Sequence, residues 1–120
     1  FQTKLAADGL PYYRHLVDTA LGWGTAEDTM LVVGATRPEE LGDLRKAYPE
    51  HFFLVPGIGA QGGDLEAVCR LGCGEYNNLI INASRSILYA SSGLDFAEKA
   101  RAAAMDLSKK MADLMTGRPL

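Results

Sequence analysis

At 120 residues, 48% of them apolar and 22% charged, the chain is at most one small domain with the balance of an ordinary globular protein. Its net charge of −3 and isoelectric point near 5.3 argue against a surface built for nucleic acid or other polyanions. No apolar run approaches the roughly 20 residues of a membrane span. Phe1-Gln-Thr-Lys4 is neither an initiator nor a signal peptide, so the sequence reads as cut from a longer, cytoplasmic protein.

Pro11 opens a helical stretch that runs to Gly22, with Tyr13, Leu16, Val17, Ala20 and Leu21 on its apolar side. Thr25 to Thr29 reads as loop. Met30 to Gly34 follows as a strand apolar on both faces, the pattern of a buried strand in a parallel sheet. Thr36-Arg-Pro-Glu39 has the form of a capping box with proline in the first turn. Leu41, Leu44 and Tyr48 then recur at helical spacing until Pro49 stops the run.

Phe52 to Val55 is the second strand, ended by Pro56 and Gly57. Gly59, Gly62 and Gly63 crowd the turn that follows, and Asp64 caps a helix carrying Leu65, Val68 and Leu71, which Gly72 and Gly74 terminate. Such a turn, between a buried strand and a helix N-terminus, lets backbone N–H groups approach an anion closely. Leu79 to Asn82 is the third strand. Ala83, Ser84 and Arg85 follow it, then a short apolar segment from Ser86 to Ala90. After a break at Ser91-Ser-Gly93, Asp95 caps a last helix whose stripe is Phe96, Ala100, Ala104, Leu107, Met111 and Met115. Cys69 and Cys73 share a helix face far in sequence from His15 and His51, so they read as reduced structural thiols, with no metal or cofactor expected. The chain shows no repeat, low-complexity segment or internal domain boundary.

Helices and strands alternate throughout, which implies right-handed βαβ units and a parallel sheet. Two α/β architectures carry that pattern: a small open sheet, or the C-terminal part of a (β/α)₈ TIM barrel supplying about its last three strands. A complete barrel needs about 250 residues. The strand ends favour the partial barrel. In (β/α)₈ enzymes a phosphate commonly sits between the loops after strands seven and eight, beside a short extra helix. Here one strand ends in a glycine-rich loop carrying Gln61, whose amide can donate a hydrogen bond. The next ends in Ser84-Arg85 before a short segment. Ser84 can cap that segment and leave backbone donors facing an anion. Arg85 brings a planar, permanently charged fork suited to phosphate oxygens.

Val55-Pro-Gly-Ile-Gly-Ala-Gln-Gly-Gly-Asp64, followed by Ile80-Ile-Asn-Ala-Ser-Arg-Ser-Ile-Leu-Tyr-Ala90, resembles the orotidine 5′-phosphate decarboxylase family. Leu31-Val-Val-Gly-Ala-Thr36 is similar to the preceding strand of its longer bacterial subgroup. The resemblance runs from about Trp23 to the last helix, and it makes residues 1–120 the C-terminal part of a decarboxylase barrel of pyrimidine biosynthesis. It implies that Gln61 bridges the phosphate and the pyrimidine side of the nucleotide and that Arg85 grips the phosphate. It also implies that Ser84 offers its backbone N–H where many members have glycine, and that Pro56 borders the pyrimidine pocket. Some members place a phosphate-touching tyrosine two residues after the glutamine; Gly63 stands there in this chain.

The family's Asp-x-Lys-x-x-Asp catalytic array is absent, so no catalytic residue is expected here and the isolated chain should not decarboxylate. Lys110-Met-Ala-Asp113 matches only part of that motif and reads as a solvated helix face. The resemblance further implies a nucleotide substrate (orotidine or uridine monophosphate), the missing N-terminal half of the barrel as a partner, and a homodimer when full length. Neither nucleic acid nor membrane is expected as a partner. Two alternatives stand beside this one: the phosphate-binding half of another (β/α)₈ phosphosugar enzyme, and a self-standing α/β phosphate-binding module without catalysis.

Overall fold

The computed structural model describes residues 4–58 and 64–116. They fall into two compact units, one ending at Met30 and the other starting at Leu31. In the first, an antiparallel bridge between Leu5 and Pro11 closes a turn in which Asp8 accepts from the Leu10 N–H. Helix α1 (Tyr12–Leu21) follows from Pro11, whose fixed φ of −59° suits a helix entry. No residue of α1 is buried.

The second unit is organised by a sheet of order β1-β2-β3, with β1 at Met30–Val32, β2 at Phe52–Pro56 and β3 at Leu79–Asn82. β2 and β3 run parallel, pairing Phe53 with Leu79, Leu54 with Ile80, Val55 with Ile81 and Pro56 with Asn82. Side chains alternate across a strand, so Phe53, Val55, Leu79 and Ile81 share one face. Helices α2 (Pro38–Ala47) and α3 (Leu65–Gly72) cover it. The guanidinium of Arg45 lies 3.7 Å from the centre of the Phe53 ring, and Gly72 packs beside Leu41 and Leu79. Leu41, Phe53, Val55, Val68 and Cys69 are wholly inaccessible to solvent. α3 also packs on α5 (Phe96–Thr116), as does the short α4 (Arg85–Leu88).

Asp64 caps α3 as its sequence predicts, accepting from the N–H groups of Glu66 and Ala67. Two expectations are corrected, those for β1 and for the capping box. β1 stops at Val32 and is not buried: Met30 and Val32 are 52% and 68% exposed, because the described residues provide no cover for that strand face. The capping box at Thr36 does not form. The residue before a proline is pushed to extended backbone, so Arg37, at φ −133°, becomes the N-cap and pairs its side chain with Glu40 instead. The segment expected from Ser86 to Ala90 is helix α4, beginning one residue earlier at Arg85. Asp95 precedes α5 and accepts from Lys99 through its carbonyl, while its carboxylate takes the Ser91 hydroxyl at 2.6 Å.

Candidate functional site

Because β2 and β3 are parallel and Pro56 is level with Asn82, the chain leaves both strands at the same end of the sheet and at the same height. The Gly57 N–H donates to the Asn82 carbonyl at 3.3 Å, extending the ladder one residue past the strand. Gly57 has φ +85°, a conformation that a side chain disfavours. The β2 tip therefore turns away sharply just where β3 gives way to α4. Between the two tips lies a cleft of about 200 Å³ lined by Pro56, Gly57, Ile58, Asn82, Ala83, Ser84 and Arg85.

Three of the predicted site residues thus line one cleft. Pro56 is the last residue of β2, Ser84 is the N-cap of α4, and Arg85 is its first residue. Gln61, the fourth, lies outside the described residues. Ser84 corrects one expectation: its hydroxyl makes no capping bond, and it is the Ser84 carbonyl that accepts from the Ile87 and Leu88 N–H groups. Arg85 is exposed, and its guanidinium has neither ion pair nor hydrogen bond among the described residues. A charged fork held at a cleft mouth without an internal counter-ion is available to an external anion. Asn82, Gly57 and Ile58 were missed by sequence reasoning. Asn82 was recoverable as the polar residue that ends the apolar run Leu79-Ile-Ile.

The other titratable features lie elsewhere. Cys69 and Cys73 are buried and not joined in a disulfide, and Cys73 donates to the Asn77 side chain at 3.3 Å. No group of three or more metal-ligating side chains occurs among the described residues. Lys110 pairs with Asp106 at 2.8 Å on a solvent-facing turn of α5, with both side chains more than half exposed. That matches the reading of Lys110 and Asp113 as a solvated face.

No family model matches the chain. Among curated proteins it is 44% identical over 118 residues to the orotidine 5′-phosphate decarboxylase of Flavobacterium johnsoniae, covering 98% of this chain but 43% of that protein. The chain therefore spans about two-fifths of the length of the curated relatives it matches. Among solved structures, the UMP synthase of Leishmania donovani superposes with a TM-score of 0.82 at 33% identity, over 99% of this chain and 25% of that one. The OMP decarboxylase of the same organism gives a TM-score of 0.78 at 30% identity, over 97% of this chain and 43% of that one.

Proposed function

Because the chain belongs to the orotidine 5′-phosphate decarboxylase family, matching a C-terminal portion of it, we propose that it supplies the loops holding the substrate phosphate in that lyase. The whole enzyme would convert orotidine monophosphate to uridine monophosphate and CO₂. The observation that carries this reading is the meeting of Pro56, Ser84 and Arg85 around one cleft at the C-terminal end of two parallel strands, where (β/α)₈ enzymes place their sites.

In this reading Arg85 offers paired N–H donors to the phosphate, the Ser84 backbone adds one more, and Pro56 walls the pyrimidine side. The family resemblance adds Gln61, outside the described residues, as the group that bridges the phosphate and the pyrimidine side. None of these groups touches the bond that breaks, so none is catalytic. Their contribution is binding energy from a non-reacting part of the substrate, which holds the closed, water-excluding state that the chemistry requires. The Asp/Lys array that protonates the vinyl carbon comes from outside these 120 residues, and the chain alone is inactive. No cofactor takes part. The full-length protein is a cytoplasmic homodimer in this proposal; no described helix is long and apolar enough to cross a membrane.

Two measurements on the full-length protein test it. Arg85→Ala should lower kcat/KM by about 3 kcal/mol of transition-state stabilisation, the scale of a charge-assisted contact; near-normal turnover would remove Arg85 from the site. In a competition titration, uridine monophosphate should displace a bound probe well before ribulose 5-phosphate does. The reverse order would point to a different phosphosugar enzyme.

A further inference from the structure

Helix α4 is a single turn with a cavity on each side. Ser84 and Arg85 line the cleft at the strand tips. Ser86 and Ile87 line a second space of about 370 Å³, which reaches the start of α3 and the middle of α5. Two positions apart on a helix is roughly 200° of turn, so Arg85 and Ile87 leave α4 on nearly opposite sides. Ile87 is the one residue of α4 that is not exposed, and Leu65, Ala103 and Leu107 line the second space with it. Ile58, 5% exposed, lines both.

We propose that Ile87 is a positioning residue: its packing toward α5 fixes where α4 holds Arg85, and hence how well the cleft binds a phosphate ester. This rests on the phosphate reading of Arg85. A helix this short does not hold its own place, because nucleation costs more than one turn of bonds returns. Its N-cap makes no side-chain bond. Its backbone bonds run from the Ile87 and Leu88 N–H groups to the Ser84 carbonyl and from the Tyr89 N–H to the Arg85 carbonyl. Those bonds shape the turn without tying it to the rest of the fold. The tie is the packing of α4 on α5, and Ile87 is the residue through which α4 buries apolar area there. Truncating Ile87 enlarges the space already open behind the turn, so α4 gains room to shift. A misplacement of about 1 Å at such a group can cost up to about a hundredfold. Arg85 has no ion pair or hydrogen bond among the described residues that would hold its guanidinium in place instead.

The test is equilibrium binding to the full-length protein of uridine 5′-monophosphate and of uridine, which lacks the phosphate, with thermal melts alongside. Ile87→Ala should weaken the monophosphate about tenfold and leave uridine unchanged, at a temperature where the melt shows the variant folded. Ile87→Val, a milder truncation that keeps the β-branch, should show the same pattern at smaller size. In an Arg85→Ala background, Ile87→Ala should add no further loss on the monophosphate, because the group it positions is gone. A lower melting temperature with unchanged monophosphate affinity would make Ile87 a packing residue only and overturn the proposal. Equal losses on both probes, or a full additional loss in the Arg85→Ala background, would do the same. Arg85→Ala alone separates the proposal from its premise. If that variant binds the monophosphate normally, the phosphate reading fails; if it weakens the monophosphate while Ile87→Ala does not, only the positioning role fails.

Discussion

Arg45 shows how much one side chain can organise away from any site. It sits on the stripe of α2 with Leu41 and Leu44 and is 6% exposed. Its Nε donates to the Gly72 carbonyl at 2.7 Å, one terminal nitrogen to the carbonyls of Tyr48, Pro49 and His51, and the other to that of Asn78 at 3.0 Å. Asn78, 1% exposed, doubles two of these bonds through its own amide to Pro49 and His51. The carbonyls where α2 gives way to β2, and α3 to β3, thus converge on one guanidinium. Burial pulls its pKa below the usual arginine value, with Cys73 acting the other way, but carbonyl dipoles on every donor keep a buried cation tolerable. Arg45→Lys has three donors on a single point and cannot reach carbonyls on three sides. It should cost roughly 2–4 kcal/mol, since buried acceptors are left unmet. The check is urea denaturation of full-length protein, and a loss below about 0.5 kcal/mol would show the network to be replaceable by water.

At the scale of elements, the fit between α2 and α3 is set by two glycines with opposite consequences. A Cβ on Gly72 would come within 2.6 Å of Leu41 Cδ2 and 3.1 Å of Leu41 Cγ, on a side chain with no exposed surface to move into. A Cβ on Gly42 would meet Leu71 at 3.5 Å, ordinary contact. Gly72→Ala should therefore destabilise by about 1–3 kcal/mol through overpacking. Gly42→Ala should be neutral or stabilise by up to about 1 kcal/mol through helix propensity. Thermal melts of the two variants settle the sign of each.

Element by element, what could be read in advance was what depends on neighbours in sequence. α3 was legible because Asp64, the spacing of Leu65, Val68 and Leu71, and Gly72 all act within a turn or two. β3 was legible for the same reason, as a short apolar run between turn residues. Two misses have the opposite origin. The apolar faces of β1 predicted burial, but burial depends on what covers a strand, and no sequence window contains that. Ser84 looks like a cap by residue type, yet its φ of −101° and ψ of −69° are already helical, so its carbonyl rather than its hydroxyl serves α4. Of the candidate site, Pro56, Ser84 and Arg85 were visible as strand-end residues. Asn82 is legible in the sequence as the polar end of an apolar run, but that it stands level with Pro56 comes from the β2–β3 register.

Across the whole molecule, the deciding feature is the sheet face that nothing among the described residues covers. Val32 is 68% exposed, Phe52 42% and Ile80 41%, and the last two lie on the face opposite the Phe53–Leu79 core. Hydrophobic strand residues left in water cost about 25 cal/mol per Å² relative to burial, and an uncovered face with an open β-edge invites pairing. In the full-length protein, residues outside this chain would close that face as a barrel interior. Among the described residues of the isolated chain nothing does, so it should self-associate. Sedimentation velocity should show the isolated chain as dimers or larger species at micromolar concentration, with strong binding of a hydrophobic dye. Replacing Val32, Leu54 and Ile80 with threonine keeps β-propensity and removes apolar area, so that variant should shift toward monomer. A wild-type chain that stays monomeric and binds no dye would mean that this face is covered from within, and the partial-barrel account of the chain would lose its physical basis.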